Sequence, residues 1–189
     1  HSSFKQITWG DFPIREETKP VIALKEIANQ TAGIMMDYMV STTNGKKTVY
    51  YLVKEYYRVR YTPDRMYLLD YERTMTQLPD AKEMYANDKL LLGITDSEIP
   101  MVESADGNVV AFVVANNLYS YNVTTNRLTD VFGFYDGKNR DAREVYDAHG
   151  IKILDVKEGG SITFAVYGYM NRGRHEGEVG IQVYSYDQA

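Results

Sequence analysis

The densest group of residues able to do chemistry lies in one glycine-rich stretch, residues 168–180. Charged side chains stand there between four glycines. Backbone amides and guanidinium groups in such a loop are the donors that bind a phosphate or a carboxylate. The stretch therefore predicts an anion-binding loop, and the residues expected to bind are Tyr169, Arg172, Arg174, His175 and Glu176.

A second interpretation of the same stretch is a polar hairpin tip, in which glycine supplies the positive φ angles of the turns. Surface loops are polar for generic reasons. No helical pattern follows the glycines, so the stretch is not a P-loop. We favour the hairpin tip and keep the anion-binding loop as the alternative.

Other candidate chemistry is less specific. His149 and His175 lack the short spacing of zinc ligands, and the chain has no cysteine for thiolate ligation or nucleophilic attack. Carboxylates such as Asp70 and Glu72 have the residue types of a glycosidase pair, but solvated strands of acidic proteins have the same composition. We predict no catalytic residue, no metal and no cofactor. A glycan-processing or other hydrolase that uses carboxylates and the 168–180 loop is the alternative.

The composition restricts the class of protein that positions these residues. Hydrophobic residues make up 44% of the 189 residues and charged residues 25%, which argues against disorder. The 17 tyrosines favour strands. The formal charge of −5 argues against binding to nucleic-acid phosphates, and no run approaches the roughly 18 apolar residues of a membrane helix. We expect one globular, strand-rich chain with no nucleic-acid partner and no membrane span.

The N-terminal thirty residues are the least regular part of the sequence. His1-Ser2-Ser3 resembles the remnant of an expression tag and is excluded from the fold argument. Residues 21–28 fit either a short helix opened by a proline or a strand. Two later segments, residues 80–87 and 141–147, each begin with a helix-capping aspartate and predict single helical turns.

Strand patterns begin after residue 30. Residues 33–40 and 48–53 flank Asn44-Gly45, a pair of residues typical of hairpin turns. This pattern predicts the first hairpin.

A second hairpin is predicted around residues 62–65, and its faces determine its register. Pairing Tyr57 with Tyr71 and Arg58 with Asp70 separates an apolar face from a charge-matched face. A slip by one residue would mix the two faces. This register, carried to the turn, requires a three-residue loop.

An internal repeat is the strongest sign of organisation. Residues 106–114 match residues 158–166, with Phe112 matching Phe164 at an offset of 52. The following segments, 118–122 and 183–187, match at an offset of 65, so the second copy contains a 13-residue insertion. The insertion coincides with the glycine-rich stretch. A fainter third copy is expected between residues 44 and 71.

The repeated pattern has three parts: Asp106-Gly107 before a short apolar strand, a strand of sequence Leu118-Tyr119-Ser120-Tyr121, and a polar turn into Arg127-Leu128-Thr129. It resembles the blades of TolB-like, WD-like and related β-propeller repeat families. The resemblance covers about two and a half blades, from Gly33 to Asp187. It implies four-stranded blades and, more often than catalysis, binding of proteins or ligands. Because propellers typically have 4–8 blades, the chain is expected to be part of a larger propeller or a smaller open β structure.

These observations predict an all-β fold of consecutive antiparallel propeller-type blades, preceded by an irregular or short-helical N-terminal segment. The expected divisions are residues 1–30 and 31–189, with units at 31–79, 88–135 and 150–189. The expected function is a non-catalytic binding or scaffolding module of a larger, bacterial and extracytoplasmic or cell-surface protein. Its expected partners are a protein or a carbohydrate, together with a second copy that pairs through exposed sheet edges.

Overall fold

The described part of the chain is mostly β-strand, arranged in antiparallel sheets, with very little helix. The computed structural model describes residues 3–80, 85–86, 89–90, 97–135 and 141–188. Contacts divide the chain into two compact units, the first holding residues up to Gln77 with a helix ending at Val145, and the second holding the remainder. Within the described ranges, no helix is long and apolar enough to cross a membrane. The predicted all-β class is confirmed.

The first unit is one five-stranded sheet with two single-turn helices. Strands β3 to β5 form a meander, and β1 and β2 both pair with β3, at different stretches of its other edge. The strands are β1 Ile14–Glu16, β2 Val21–Ala28, β3 Thr31–Asn44, β4 Lys47–Tyr61 and β5 Met66–Gln77. The helices are α1 Phe4–Ile7 and α2 Ala142–Val145.

Two of the local predictions for this unit are confirmed. Asn44 pairs with Lys47 across the first hairpin, and Gly45 in the turn has a φ of 65°. Helix α2 forms where a single turn was predicted, and the Arg143 backbone N–H donates to the Asp141 Oδ1 that caps it, at 2.8 Å. The other predicted helical turn, residues 80–87, lies largely outside the described residues, and it is wrong for Tyr85 and Ala86, which form a short strand.

Residues 21–28, for which the sequence left helix and strand open, form the edge strand β2. The expected irregular or short-helical N-terminal segment is therefore wrong for β1 and β2, and right only for the turn of helix α1. The register of β2 against β3 shifts between Leu24 and Glu26. Ile22, Leu24 and Ile27 therefore lie on one face of the sheet, although their spacing does not have a period of two.

The register predicted for the second hairpin is right in the body of the strands and wrong near the turn. Tyr57 pairs with Tyr71 and Arg58 with Asp70, as expected. A bulge then shifts the pairing by one residue, so that Tyr61 pairs with Met66 across a four-residue loop. The loop is closed by a 3.1 Å backbone bond from the N–H of Thr62 to the carbonyl of Arg65. The hairpin therefore has the predicted register in the body of its strands and a register shifted by one residue next to the turn.

The second unit contains two larger sheets and one small strand pair. The four-stranded sheet has the order β11-β10-β9-β8, and the three-stranded sheet has the order β12-β13-β14. Strands β6 Tyr85–Ala86 and β7 Lys89–Leu90 form the small pair. The remaining strands are β8 Met101–Glu103, β9 Val109–Val114, β10 Asn117–Asn122, β11 Arg127–Phe132, β12 His149–Val156, β13 Ile162–Tyr169 and β14 Val179–Tyr186.

One core joins the two larger sheets of this unit. Strand β9 contributes Val109, Ala111 and Val113, and strand β13 contributes Ile162, Phe164 and Val166. Because successive side chains of a strand point to opposite faces, these residues define the inner face of each sheet. Phe112 and Phe164 are both buried, as the repeat predicts, but Phe112 belongs to a separate cluster on the other face of its sheet.

Candidate functional site

The glycine-rich stretch forms the connection between β13 and β14, and backbone hydrogen bonds join its two arms. The Met170 N–H donates to the carbonyl of Glu178, and the Gly177 N–H donates to the carbonyl of Met170, both at 2.9 Å. Gly173 and Gly177 have φ angles of +94° and +87°, which are the left-handed conformations that glycine adopts at little cost. These features are those of an extended hairpin tip.

The predicted binding residues are distributed along this hairpin tip. His175 Nδ1 lies 2.9 Å from Oε2 of Glu178, a residue that the sequence analysis did not include. Tyr169 lies at the base, where its ring contacts the ring of Tyr146 edge to face at 5.1 Å. Arg174 and Glu176 are exposed and Arg172 is half-buried. Binding of an anion by this loop stays a prediction.

The other candidates from the sequence have local structural contacts. His149 packs edge to face against Phe134, with ring centroids 4.7 Å apart. Asp70 accepts the backbone N–H of Tyr71 at 2.9 Å. Throughout the described part of the chain, no three His, Asp or Glu side chains are grouped closely enough to hold a metal ion.

The sequence analysis missed a buried charged cluster in the first unit, centred on Glu55. Three side chains donate to the Glu55 carboxylate: Tyr57 at 2.8 Å, Tyr71 at 2.7 Å and Arg73 through Nε at 2.7 Å. The pairing of β4 with β5 brings them together, because Glu55 is opposite Arg73 and Tyr57 is opposite Tyr71. The predicted register already implied this arrangement.

The cluster is held in its charged form. Burial by itself would raise the pKa of Glu55, which is 3% exposed, but the hydrogen bonds from Tyr71, Arg73 and Tyr57 outweigh it and lower the pKa. Burial and the bond to the carboxylate raise the pKa of Tyr57 to about 12. A carboxylate that is already bound by three donors is poorly suited to act as a base or nucleophile.

Arg73 connects this cluster to the N-terminal segment. Its guanidinium lies 4.0 Å from the ring centre of Trp9. Its terminal nitrogens donate to the carbonyls of Ile7 at 3.2 Å and Thr8 at 3.4 Å. The cluster therefore acts as a clamp that fastens residues 7–9 to the sheet.

An exposed apolar surface lies on the outer face of the β12–β14 sheet, the face opposite the shared core. Strand β14 contributes the most exposed members, Val179 at 79%, Ile181 at 72% and Val183 at 64%. Leu154 and Tyr167, each 49% exposed, extend the surface onto β12 and β13, where the exposed charged residues Lys152 and Asp155 lie on the same face. We call these five residues the outer face. Such patches mark interaction surfaces more often than isolated exposed apolar residues do.

Strand β14 is also an edge of its sheet in the described part of the chain. Among the described residues it pairs with β13 and with no further strand. Its tyrosines Tyr184 and Tyr186 face inward and pack against the core. The outward positions alternate with them, so β14 combines an unpaired backbone edge with exposed apolar side chains.

The four-stranded sheet has a face that matches the outer face. By the repeat, Leu118 corresponds to Val183 and Val113 to Ala165. Leu118 is fully buried because the β12–β14 sheet covers it, whereas Val183 is exposed. The equivalent positions Leu118 and Val183 thus differ in burial, whereas Val113 and Ala165 are both buried.

Comparison with known proteins gives no match to any protein-family model, to any curated protein sequence or to any solved structure.

Proposed function

We propose that this chain is a non-catalytic binding or scaffolding module of a larger, bacterial and extracytoplasmic protein, and that the two larger sheets of its second unit are consecutive blades of propeller type. Two observations support the proposal: the matching residues of the two sheets, and the exposed outer face.

The orientation of the two sheets supports the blade interpretation. The aromatic pair Phe164 and Tyr184 faces the four-stranded sheet. The matching pair, Phe112 and Tyr119, faces away from the three-stranded sheet. Both sheets therefore direct their aromatic pair the same way, and the stack is head to tail. A head-to-tail contact leaves complementary surfaces at both ends, unlike a two-fold symmetric contact.

The single observation that carries the binding role is the outer face. Complete burial of an exposed Leu, Ile or Val side chain contributes about 1.5–3 kcal/mol. Ile181, Val183 and Leu154 retain half or more of that free energy, because each is about half exposed or more. A partner that covers the face gains this contribution, and in its absence we expect the isolated chain to associate with itself.

The test compares association and dye binding in three proteins. The wild-type chain should bind a hydrophobic dye and show a sedimentation coefficient that rises with concentration. The double variant Leu154→Lys/Tyr167→Lys should weaken both properties, because it places charges on the outer face, although the exposed apolar side chains of β14 remain. Val123→Lys, at a 52% exposed valine in the turn after β10, is the matched control and should behave as wild type. A wild-type chain that is monomeric and binds no dye would contradict the proposal. A double variant that behaves as wild type would also contradict the proposal.

A further inference from the structure

Two arginines lie over one tyrosine ring beside the tip of the second hairpin. The guanidinium carbon of Arg65 is 4.5 Å from the ring centre of Tyr67, and that of Arg60 is 5.2 Å from it. The two carbons can be no further apart than the sum of these distances, which is close to the screening length of dilute salt, about 10 Å. Both arginines are exposed, so two positive charges lie close together at the surface.

Arg60 has no acidic neighbour, unlike Arg58, the preceding arginine on the same face of β4. Arg58 is opposite Asp70 on β5, and its Nε lies 3.7 Å from Oε1 of Glu26. Arg60 is opposite Thr31 on β3 and the tyrosine on β5. In the part of the chain that the structure describes, no carboxylate pairs with either arginine over the ring. The charges of these two arginines are therefore available to a bound anion.

The loop between β4 and β5 fixes the position of Arg65. The N–H and Oγ1 of Thr62 both donate to the Arg65 carbonyl, at 3.1 Å and 2.8 Å, and the Arg65 N–H donates to Thr62 Oγ1 at 3.3 Å. Stacking on Tyr67 then orders the side chain, because a guanidinium is attracted to the negative face of an aromatic ring. A side chain that is already ordered loses less conformational entropy when it binds a ligand.

The stacked geometry leaves the hydrogen-bond donors of both arginines accessible to a ligand. A guanidinium stacks through its flat face and donates through its edge, where its N–H groups match two oxygens of a phosphate or sulfate. The edge of the Tyr67 ring is positive, in contrast to its face, so an anion beside that edge meets no repulsion from the ring. Two positive charges also match the charge of such a group, about −1.5 to −2 near neutral pH for a phosphate.

We propose that Arg60, Arg65 and Tyr67 form a binding site for a phosphate or sulfate group. The net charge of −5 opposes this only weakly, because charges beyond a screening length contribute little. The site lies in the first unit, on residues that the outer face does not include. It therefore stands or falls independently of the proposed function.

Titration of the isotopically labelled chain tests the site by NMR. Sodium phosphate, sodium sulfate and sodium acetate are added at constant ionic strength, and the arginine Nε–H signals are followed. We expect saturable shifts at Arg60 and Arg65 with phosphate and sulfate, and non-saturating shifts with acetate, whose single charge matches only one arginine. Methyl phosphate distinguishes two sources of the group, and both support the site: equal affinity for it indicates an ester on a partner, and binding of the inorganic ion alone indicates a free ion.

Arg60→Gln should raise the dissociation constant for phosphate at least about fivefold, because it removes charge-assisted hydrogen bonds. Arg58→Gln is the matched control, since it removes the same charge from the same face of β4, and it should raise the constant less than about twofold. Tyr67→Leu keeps both charges but removes the ring that orders them and should weaken binding, whereas Tyr67→Phe should bind as wild type. Equal effects of the two arginine substitutions, wild-type binding by Tyr67→Leu, or an affinity for acetate equal to that for phosphate would overturn the site.

Discussion

Replacing Arg73 by Met should destabilise the first unit strongly, and by an amount that depends on pH. The side chain of Arg73 is 16% exposed and that of Glu55 is 4% exposed. Removing one partner of a buried ion pair costs about 3–5 kcal/mol, because the other charge stays buried. Two tyrosines continue to donate to Glu55, so we expect the lower end, about 3 kcal/mol. Loss of the contact with Trp9 adds about 0.5–1 kcal/mol.

The pH dependence follows from the pKa of Glu55. In the wild type this pKa is lowered, so the cluster stabilises the fold above the ordinary carboxylate pKa, and the stability is lost as the pH falls through the folded-state value. Without Arg73, the pKa of Glu55 in the folded variant should be higher than in the wild type, because a hydrogen bond and a positive charge that lower it are gone. Acidification then costs the variant less stability than the wild type, so the deficit of the variant should shrink between pH 7 and pH 4.5.

Urea unfolding followed by tryptophan fluorescence measures this effect, because Trp9 is the single tryptophan of the chain and lies on the Arg73 guanidinium. Arg58→Met is the matched control. Arg58 lies 3.7 Å from Glu26 in an exposed ion pair, which is worth about 0–1 kcal/mol. An Arg73→Met deficit below about 1 kcal/mol, or one that is equal at pH 7 and pH 4.5, would refute the clamp.

Two further predictions concern backbone conformation and ionisation. Gly168→Ala should lower the melting temperature measured by circular dichroism. Gly168 has a φ of +106°, and a Cβ at this position would lie 2.4 Å from the Ala148 carbonyl oxygen. Gly159→Ala is the control and should change the melting temperature little, because a Cβ there would meet nothing within 4 Å. An equal effect of the two substitutions would contradict this reasoning. The difference between the ultraviolet titrations of the wild type and of Tyr57→Phe should show Tyr57 ionising near pH 12. With Glu55→Gln in both proteins the same difference should move to lower pH, because the carboxylate that opposes ionisation is gone; an unchanged value would contradict this reasoning.

The register of the second hairpin shows how far alternation predicts a sheet. Separation of faces correctly paired Tyr57 with Tyr71, since a slip by one residue would have placed arginines on the apolar face. The alternation of apolar and charged residues does not show where a bulge places an extra residue in one strand. The four-residue loop between Tyr61 and Met66 is stabilised by the Thr62 side chain, whose Oγ1 donates to the Arg65 carbonyl at 2.8 Å.

Strand β2 was ambiguous for a related reason. Ile22, Leu24 and Ile27 are opposite Met36, Ile34 and Ala32 of β3 on one face. The bulge at position 25 lengthens the spacing from two residues to three, which resembles the period of a helix. Pairing with β3 decides the conformation, and that contact lies in the tertiary structure rather than in the local sequence.

The Glu55 clamp was missed because its residues are unremarkable one by one. A single Glu, two Tyr and an Arg on neighbouring strands have no motif spacing. The register that pairs Tyr57 with Tyr71 also places Glu55 opposite Arg73 two residues further along the strands. Extending a predicted register beyond the residues that defined it would have found the ion pair. Trp9 could not be found this way, because its position depends on the path of the N-terminal segment.

The tyrosines of β14 show which side chains of this strand face the core. A tyrosine-rich strand exposes every second residue, and the sequence alone leaves open which set faces the core. The stacking of Tyr184 on Phe164 settles it, because it turns Tyr184 and Tyr186 inward and leaves Ile181 and Val183 outward. The outward side chains of β14 are therefore aliphatic rather than aromatic. Under the proposed binding role, we expect a partner of the outer face to contact β14 mainly through apolar side chains.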